Sequence, residues 1–254
     1  TWGSTSGNVT MIETDGNGCS TTNTYAVTVN ALPAANAISG NNTVCEDDAG
    51  VTYTVSDNGN TMNWSVPSGA SITSGQGTNQ ITVTWGSTSG NVSMVETNGN
   101  GCSTTNDYAV TVNALPTPGL SSSDGDDVIC AGDMVTFTAS GGASYEFFLN
   151  GASVQGPSGT TTYSTSSLNN GDAGWAIVTN ANGCSSNSST ITTTVNALPT
   201  AGLSSSDGDD IICAGDLVTF TASGGTDYEF FINGSSVQGP SGTTTYSTSS
   251  LNNG

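Results

Sequence analysis

The sequence predicts an all-β protein built as a tandem array of antiparallel β-sandwiches. Three observations lead to this prediction. The chain repeats itself every 83 residues, its segments alternate polar and apolar side chains with the two-residue period of half-buried strands, and Gly, Asn, Ser and Pro separate those segments. No segment shows the 3.6-residue period of an amphipathic helix.

The repeat is marked by the phrase NALP, which ends at Pro33, Pro116 and Pro199. Residues 1–33 are identical to residues 84–116 at 29 of 33 positions. Since nothing in the sequence ends the array, we expect separate sandwiches in a linear array and further repeats on both sides. The expected parts are the C-terminal part of one repeat (1–33), two whole repeats (34–116 and 117–199) and the N-terminal part of another (200–254).

Strands are predicted from alternating segments rich in Thr and Val. A chain poor in large apolar residues and high in net charge fits the composition of disordered proteins, but Thr is β-branched and favours strands without adding hydrophobicity. About seven short strands per repeat indicate a sandwich. The clearest strands are 51–55, 81–85, 108–112, 134–139 and 190–195. The predicted core aromatic residues are Tyr53, Trp64 and Trp85 in one repeat and Phe137, Tyr145, Phe147 and Trp175 in the next.

The charge of the chain excludes several functions. It has no Lys, Arg or His and 20 Asp plus Glu, for a formal net charge of −20. Such a chain cannot neutralise phosphates, so we expect no binding to nucleic acid or to anionic membranes. No apolar run reaches the length of a membrane span. Ser and Thr have no His or Lys to activate them, and the acids recur with the repeat, so we expect no enzyme and no catalytic residue.

The acidic turns are the best candidate for a metal site. In the segment SSSDGDD, alternating carboxylates surround a glycine, and such carboxylates can wrap Ca²⁺ with oxygen ligands. The alternative is a solvated acidic turn. The candidate ligands are Asp124, Asp126 and Asp127, which recur as Asp207, Asp209 and Asp210; Glu46, Asp47 and Asp48 form a related cluster in the preceding repeat.

Six cysteines suggest disulfides in an exported protein. We favour pairing within repeats, Cys45 with Cys102 and Cys130 with Cys184. Pairing across linkers would instead join Cys19 to Cys45, Cys102 to Cys130 and Cys184 to Cys213. A third scheme follows from immunoglobulin topology, in which the start of the second strand and the last hairpin turn lie at opposite ends of a sandwich. There Cys45 would meet Cys184 of the next repeat and join neighbours. The turns TNGNGC and TNANGC are predicted to be tight hairpins.

Two sets of motifs resemble known repeats. The run from Val44 and Cys45 through NWSVPSGASITSGQGTNQITVTWG to NGNGC is similar to the PKD-like repeat of Bacteroidota secreted proteins. The run ICAGDMVTFTASGG, YEFFLNG and NANGC resembles the Ig-like repeat of the same giant adhesins. The resemblance implies a PKD-like sandwich at 34–116 and an Ig-like sandwich at 117–199.

The same resemblance implies a function. It indicates an adhesive or structural segment of a long fibre at the cell surface or outside the cell, exported by a type IX system. Its partners would be neighbouring repeats of the same chain, other copies, or surface polysaccharide. The alternatives are an array of polysaccharide-binding modules, which an exposed aromatic strip would favour, and a stalk that spaces an enzyme from the cell.

Overall fold

The computed structural model describes residues 3–251, and every regular element within that range is a β-strand. This confirms the predicted all-β fold class. Most strand pairs are antiparallel, and two parallel ladders of three residues each join β4 to β10 and β12 to β20, whose bounds follow.

The strand bounds are grouped by the predicted repeats. Residues 1–33 contain β1 Gly7–Thr14 and β2 Ser20–Val27. Residues 34–116 contain β3 Ser39–Gly40, β4 Thr43–Cys45, β5 Val51–Thr54, β6 Thr61–Ser65, β7 Ser71–Ser74, β8 Gln80–Thr84, β9 Gly90–Thr97 and β10 Ser103–Asn113. Residues 117–199 contain β11 Gly119–Ser122, β12 Val128–Cys130, β13 Val135–Ser140, β14 Ser144–Leu149, β15 Ala152–Ser158, β16 Thr162–Thr165, β17 Ala173–Thr179, β18 Ser185–Asn187, β19 Ile191–Thr192 and β20 Thr194–Asn196. Residues 200–254 contain β21 Gly202–Ser205, β22 Val218–Ser223, β23 Tyr228–Ile232, β24 Ser235–Ser241 and β25 Thr245–Thr248.

The chain divides into two compact parts. The first part contains the residues up to Ser121 together with Thr138–Tyr163 and Gly174–Thr190, and the second contains Ser122–Phe137, Ser164–Ala173 and the residues from Ile191 onward. The repeat boundaries at residues 33, 116 and 199 stay a prediction from the sequence.

The first part contains a sandwich formed by residues 34–116 around a cluster of buried apolar side chains. Its two sheets have the strand orders β4-β10-β9-β6 and β3-β5-β8-β7. The predicted core aromatics of this repeat are buried, with Tyr53, Trp64 and Trp85 exposed by 0%, 2% and 1%. Tyr53 meets Trp85 edge-on, with ring centroids 6.2 Å apart. The remaining buried apolar side chains are Ile38, Val44, Val55, Met62, Ile81, Val83, Val92, Met94 and Val110.

A further sheet of the first part has the order β15-β14-β17-β18. Tyr145 and Phe147 are buried, as predicted. Trp175 was predicted in the core, and that prediction is wrong. Ala176 and Val178 hold the inward positions of β17, so the alternation of the strand turns Trp175 to the outer face, where its ring stacks on Phe148 with centroids 4.2 Å apart. The hairpin β1–β2 is also in the first part, and its side chains are almost all exposed.

The second part contains the parallel ladder β12–β20, the sheet β21-β22-β25 and the hairpin β23–β24. The segment 190–195, predicted as one strand, is broken at Thr193 into β19 and β20. Thr193 is buried and its N–H donates to the carbonyl of Asp172 at 2.9 Å. The backbone N–H of Thr193 is therefore bonded to the loop that contains Asp172 and not to a neighbouring strand, and this interrupts the predicted strand.

Candidate functional site

The hairpin turn that follows β9 presents a cysteine from a fixed backbone. The side-chain oxygen Oδ1 of Asn98 accepts the N–H groups of Asn100 at 3.0 Å and of Cys102 at 3.1 Å. Gly101 has a φ of 78°, a left-handed conformation that suits glycine. The predicted hairpin is confirmed, but the residue that organises it is the first asparagine, which the Asn-Gly argument missed.

This turn lies against the linker of the preceding repeat. The Nδ2 group of Asn98 donates to the carbonyl of Ala31 at 2.9 Å, and the hydroxyl of Thr104 donates to the carbonyl of Pro33 at 3.0 Å. The sulfur of Cys102 lies 3.8 Å from the carbonyl oxygen of Asn30. The NALP phrase of residues 30–33 is therefore held by the last hairpin of the next repeat.

The next junction has the same contacts. Asn180 Oδ1 accepts the N–H of Cys184 at 3.1 Å, while its Nδ2 group donates to the carbonyl of Ala114 at 2.9 Å. The sulfur of Cys184 lies 3.8 Å from the carbonyl oxygen of Asn113. We call this arrangement of turn asparagine, turn cysteine and NALP linker the turn clamp, and it occurs at both linkers of the first compact part.

The other type of cysteine sits on a short strand beside its own repeat's NALP phrase. In the parallel ladder of β4 and β10, Cys45 lies opposite Asn113, and the N–H of Glu46 donates to the carbonyl of Asn113 at 2.8 Å. The carboxylate of Asp48 accepts the N–H of Cys45 at 2.7 Å. Asp47, between them, has a φ of 64°, which closes the turn. Both cysteine types therefore converge on Asn113.

A disulfide joins Cys45 to Cys184, with Cα atoms 5.6 Å apart and a sequence separation of 139 residues. It connects predicted repeat 34–116 to predicted repeat 117–199. The favoured pairing within repeats, and the pairing across linkers, are corrected by this bond. The third scheme, in which Cys45 meets Cys184, is the one the structure has.

The physical reason for the correction is the length of β10. Cys45 lies beside Asn113 at one end of that strand, whereas Cys102 directly precedes Ser103 at its other end. Eleven extended residues span roughly 35 Å, which is far beyond the reach of a disulfide of about 7 Å between Cα atoms. The cysteines that remain free are Cys19, Cys102, Cys130 and Cys213.

The acidic turns have structural roles of their own. The Oδ1 atom of Asp124 accepts the N–H groups of Asp126 at 3.3 Å and of Val128 at 3.2 Å. A hydrogen bond from the Asp126 side chain, supported by backbone N–H donors, holds the pKa of Asp124 below its usual value. Asp127 has a φ of 57°, and its carbonyl accepts the N–H of Thr194 at 2.8 Å.

The second acidic turn repeats this pattern. Asp207 accepts the N–H groups of Asp209 and Ile211, its pKa is lowered for the same reasons, and Asp210 has a φ of 58°. Within residues 3–251 there is no group of three or more Asp, Glu, His or Cys side chains placed to hold a metal ion. Calcium binding at either turn stays a prediction.

A buried carboxylate anchors the start of the sandwich, and sequence reasoning missed it. Glu96 has no exposed surface and follows Val92 and Met94 on the inward positions of β9. It accepts hydrogen bonds from Nδ2 of Asn60 at 2.7 Å and from Nδ2 of Asn36 at 3.1 Å. Asn36 lies three residues after the linker proline, so this contact ties the entry segment of the repeat to the core. The signal in the sequence was a Glu at an inward position of an apolar alternation.

Comparison with known proteins identifies one domain. Residues 31–110 match the family model described as PKD-like domain. No curated protein matches the chain. Among residues 3–251 we find no helix with the length and apolarity that crossing a membrane requires.

Solved structures of low similarity include Ig and fibronectin modules. The fibronectin(III)-like modules of Clostridium thermocellum CbhA are 10% identical, with a TM-score of 0.35, 63% of this chain covered and 94% of that one. Murine CEACAM1b is 14% identical, with a TM-score of 0.33 and coverages of 64% and 100%. The N-terminal eight Ig domains of Down Syndrome Cell Adhesion Molecule are 11% identical, with a TM-score of 0.32 and coverages of 91% and 39%.

The strand topology, the internal repeat and the family match define the class of protein. The chain is an all-β protein with an internal sequence repeat, and its residues 31–110 are similar to the PKD-like domain family. The match agrees with the resemblance of this region to a PKD-like repeat, while the bounds 34–116 stay a prediction.

Proposed function

We propose that this chain is a structural and adhesive segment of a long bacterial fibre, displayed at the cell surface or outside the cell. The observation that carries the proposal is the Cys45–Cys184 bond between consecutive predicted repeats. A covalent link transmits tension that hydrogen bonds alone would not withstand. The turn clamp binds the linker directly beside this disulfide, so the hydrogen bonds and the covalent bond hold the same junction together.

The extracellular location follows from redox chemistry. Structural disulfides persist in oxidising compartments and are rare in the cytosol. A chain with 20 acidic side chains, most of them exposed, and no basic side chain keeps the fibre soluble and repels anionic surfaces. Bacteroidota origin and export by a type IX system are proposed from the resemblance of the repeats alone. The fibre has no catalytic role in this proposal, because the chain lacks His and Lys.

A second candidate function is binding of polysaccharide. The observation that favours it is the stacked pair of Phe148 and Trp175 on the outer face of the sheet β15-β14-β17-β18. Aromatic rings on a sheet surface pack against the apolar faces of sugars. If this pair binds glycans, Trp175→Ala will abolish retention on a polysaccharide column, and Trp175→Tyr will keep part of it. Equal retention of all three proteins would remove this candidate.

The fibre proposal is tested on intact source cells. Antibodies raised against residues 34–199 should label intact cells or filaments attached to them, and a reductant should make the labelled filaments more extensible under flow, because the Cys45–Cys184 bond opens while the polypeptide stays continuous. Labelling that needs permeabilised cells would contradict the proposal. Antibodies against a cytosolic enzyme of the same cells serve as the control for intact envelopes.

A further inference from the structure

The six cysteines fall into two types with different surroundings. The turn cysteines follow the last hairpin turn of a repeat, and the C-x-x-D cysteines precede an Asp whose carboxylate accepts their N–H. The turn cysteines are Cys19, Cys102 and Cys184; the C-x-x-D cysteines are Cys45, Cys130 and Cys213. The observed disulfide joins one cysteine of each type.

The two types meet at the asparagine of a NALP phrase. Asn113 belongs to the phrase that ends repeat 34–116. Cys45, of that same repeat, lies opposite Asn113 in the ladder of β4 and β10. Cys184, of the next repeat, lies 3.8 Å from the carbonyl oxygen of Asn113. A NALP asparagine thus marks the place where the C-x-x-D cysteine of its own repeat bonds to the turn cysteine of the next.

Cys102 occupies the turn half of such a site. Its sulfur lies 3.8 Å from the carbonyl oxygen of Asn30, and Asn98 binds the carbonyl of Ala31, as Asn180 binds that of Ala114. The position that would correspond to Cys45 at this junction falls in the repeat that ends at residue 33, before residue 1. Cys102 has the setting of a bonded cysteine and no partner among the described residues.

Cys130 occupies the opposite half. In the second compact part it lies opposite Asn196 in the ladder of β12 and β20, and the N–H of Ala131 donates to the carbonyl of Asn196 at 2.9 Å. Its own N–H is bound by the carboxylate of Asp133 at 3.0 Å. These contacts reproduce those of Cys45, yet Cys130 is free and exposed.

We propose that Cys102 and Cys130 are half-sites for two further disulfides of the same kind. Cys130 bonds to the turn cysteine of the repeat that follows Pro199, and Cys102 bonds to the C-x-x-D cysteine of the repeat that ends at Pro33. Each repeat is thereby bonded to both neighbours. The inference concerns connectivity alone and does not depend on whether the fibre is adhesive.

The chemistry is a thiol–disulfide exchange. Two thiols lose two protons and two electrons as the S–S bond forms. The electrons pass to a low-molecular-weight disulfide such as oxidised glutathione, whose own S–S bond breaks to give two thiols. The partner of each half-site is thus a thiol of another repeat of this type, and the oxidant leaves no group behind.

A tandem variant tests the proposal. Residues 1–199 are followed directly by a second copy of residues 34–199, so that Cys130 of the first copy is followed by a repeat carrying Cys102. After oxidation with glutathione disulfide, peptide mapping should find Cys45 linked to Cys184 and, in addition, Cys130 linked to Cys102. Because the chain has no Lys or Arg, cleavage at Asp combined with chymotrypsin replaces trypsin.

Matched substitutions identify the copy that reacts. Cys102→Ser in the second copy should abolish the Cys130–Cys102 peptide, whereas Cys102→Ser in the first copy should leave it intact. The proposal would be overturned if the substitution in the first copy abolished the Cys130–Cys102 peptide and the one in the second copy did not, or if Cys102 were found linked to Cys45. A second measurement needs no new junction: in the oxidised chain of 254 residues, iodoacetamide should label Cys102 and Cys130 and spare Cys45 and Cys184. A bond between Cys102 and Cys130 in that chain would also overturn it.

Discussion

Pulling the chain from its two ends measures what the Cys45–Cys184 bond does under load. With the bond intact, tension passes from Cys45 directly to Cys184, and the 139 residues of sequence separation cannot extend. At 3.3–3.6 Å per residue, the disulfide keeps about 460–500 Å of contour length from extending under force. The double substitution Cys45→Ser with Cys184→Ser should therefore lengthen the fully unfolded chain by that amount, as should a reductant.

Single-molecule force spectroscopy is the assay, and the free cysteines provide the control. Cys102→Ser with Cys130→Ser removes two cysteines that form no bond in this chain, so its extension should equal that of the parent. Closing a loop of this length stabilises a protein by about 5 kcal/mol in the chain-entropy model, so the first double variant should also melt at a lower temperature. Equal extension of the parent in oxidising and reducing buffer would refute the reasoning.

Three further predictions concern the core, the linker and the acidic turns. Burial raises the pKa of Tyr53 to about 12, above about 10 in the unfolded chain, so its contribution to stability is complete below pH 10 and falls by about 1 kcal/mol from pH 10 to 11. In urea unfolding, the free energy of unfolding of Tyr53→Phe should not show that part of the decline between pH 10 and 11. Identical pH slopes for the variant and the parent chain would contradict the prediction. Asn60→Ala removes a donor to the buried Glu96 and should cost about 1–3 kcal/mol in urea unfolding, whereas the exposed Asn58→Ala should be nearly neutral; equal midpoints would show that the contact contributes nothing. The calcium hypothesis predicts that EDTA at constant ionic strength lowers the melting temperature, and that this difference vanishes when three residues become Asn, namely Asp124, Asp126 and Asp127; indifference to EDTA would identify a solvated turn.

The fold followed from the sequence where local patterning decides the outcome. Tyr53 lies on β5 and Trp85 directly follows β8, and both side chains are buried at the positions that the two-residue alternation predicts. The same rule misplaced Trp175, because a strand with small residues on its inward positions leaves the large ring outside. Thr193 broke a predicted strand, since its backbone bonds to a loop residue that no local pattern identifies.

The junction was only partly predictable. The sequence predicted the NGC turn but not its contact with the previous linker. That contact depends on Asn98, whose Oδ1 accepts the N–H of Cys102 while its Nδ2 donates to Ala31, and turn propensity alone predicts neither bond. Cysteine spacing allowed three pairings, and the choice required knowing that β10 separates Cys45 from Cys102. Glu96 was overlooked because a carboxylate in an apolar alternation has meaning only when its amide donors are placed in space.

Disulfide mapping of the oxidised chain of 254 residues tests the central claim most directly. Cleavage at Asp with chymotrypsin puts Cys45 and Cys184 on separate peptides. The structure predicts one disulfide-linked species that contains both, lost on reduction and absent from Cys184→Ser. Recovery of Cys45 linked to Cys102, or of Cys184 linked to Cys130, would contradict a bond between consecutive repeats.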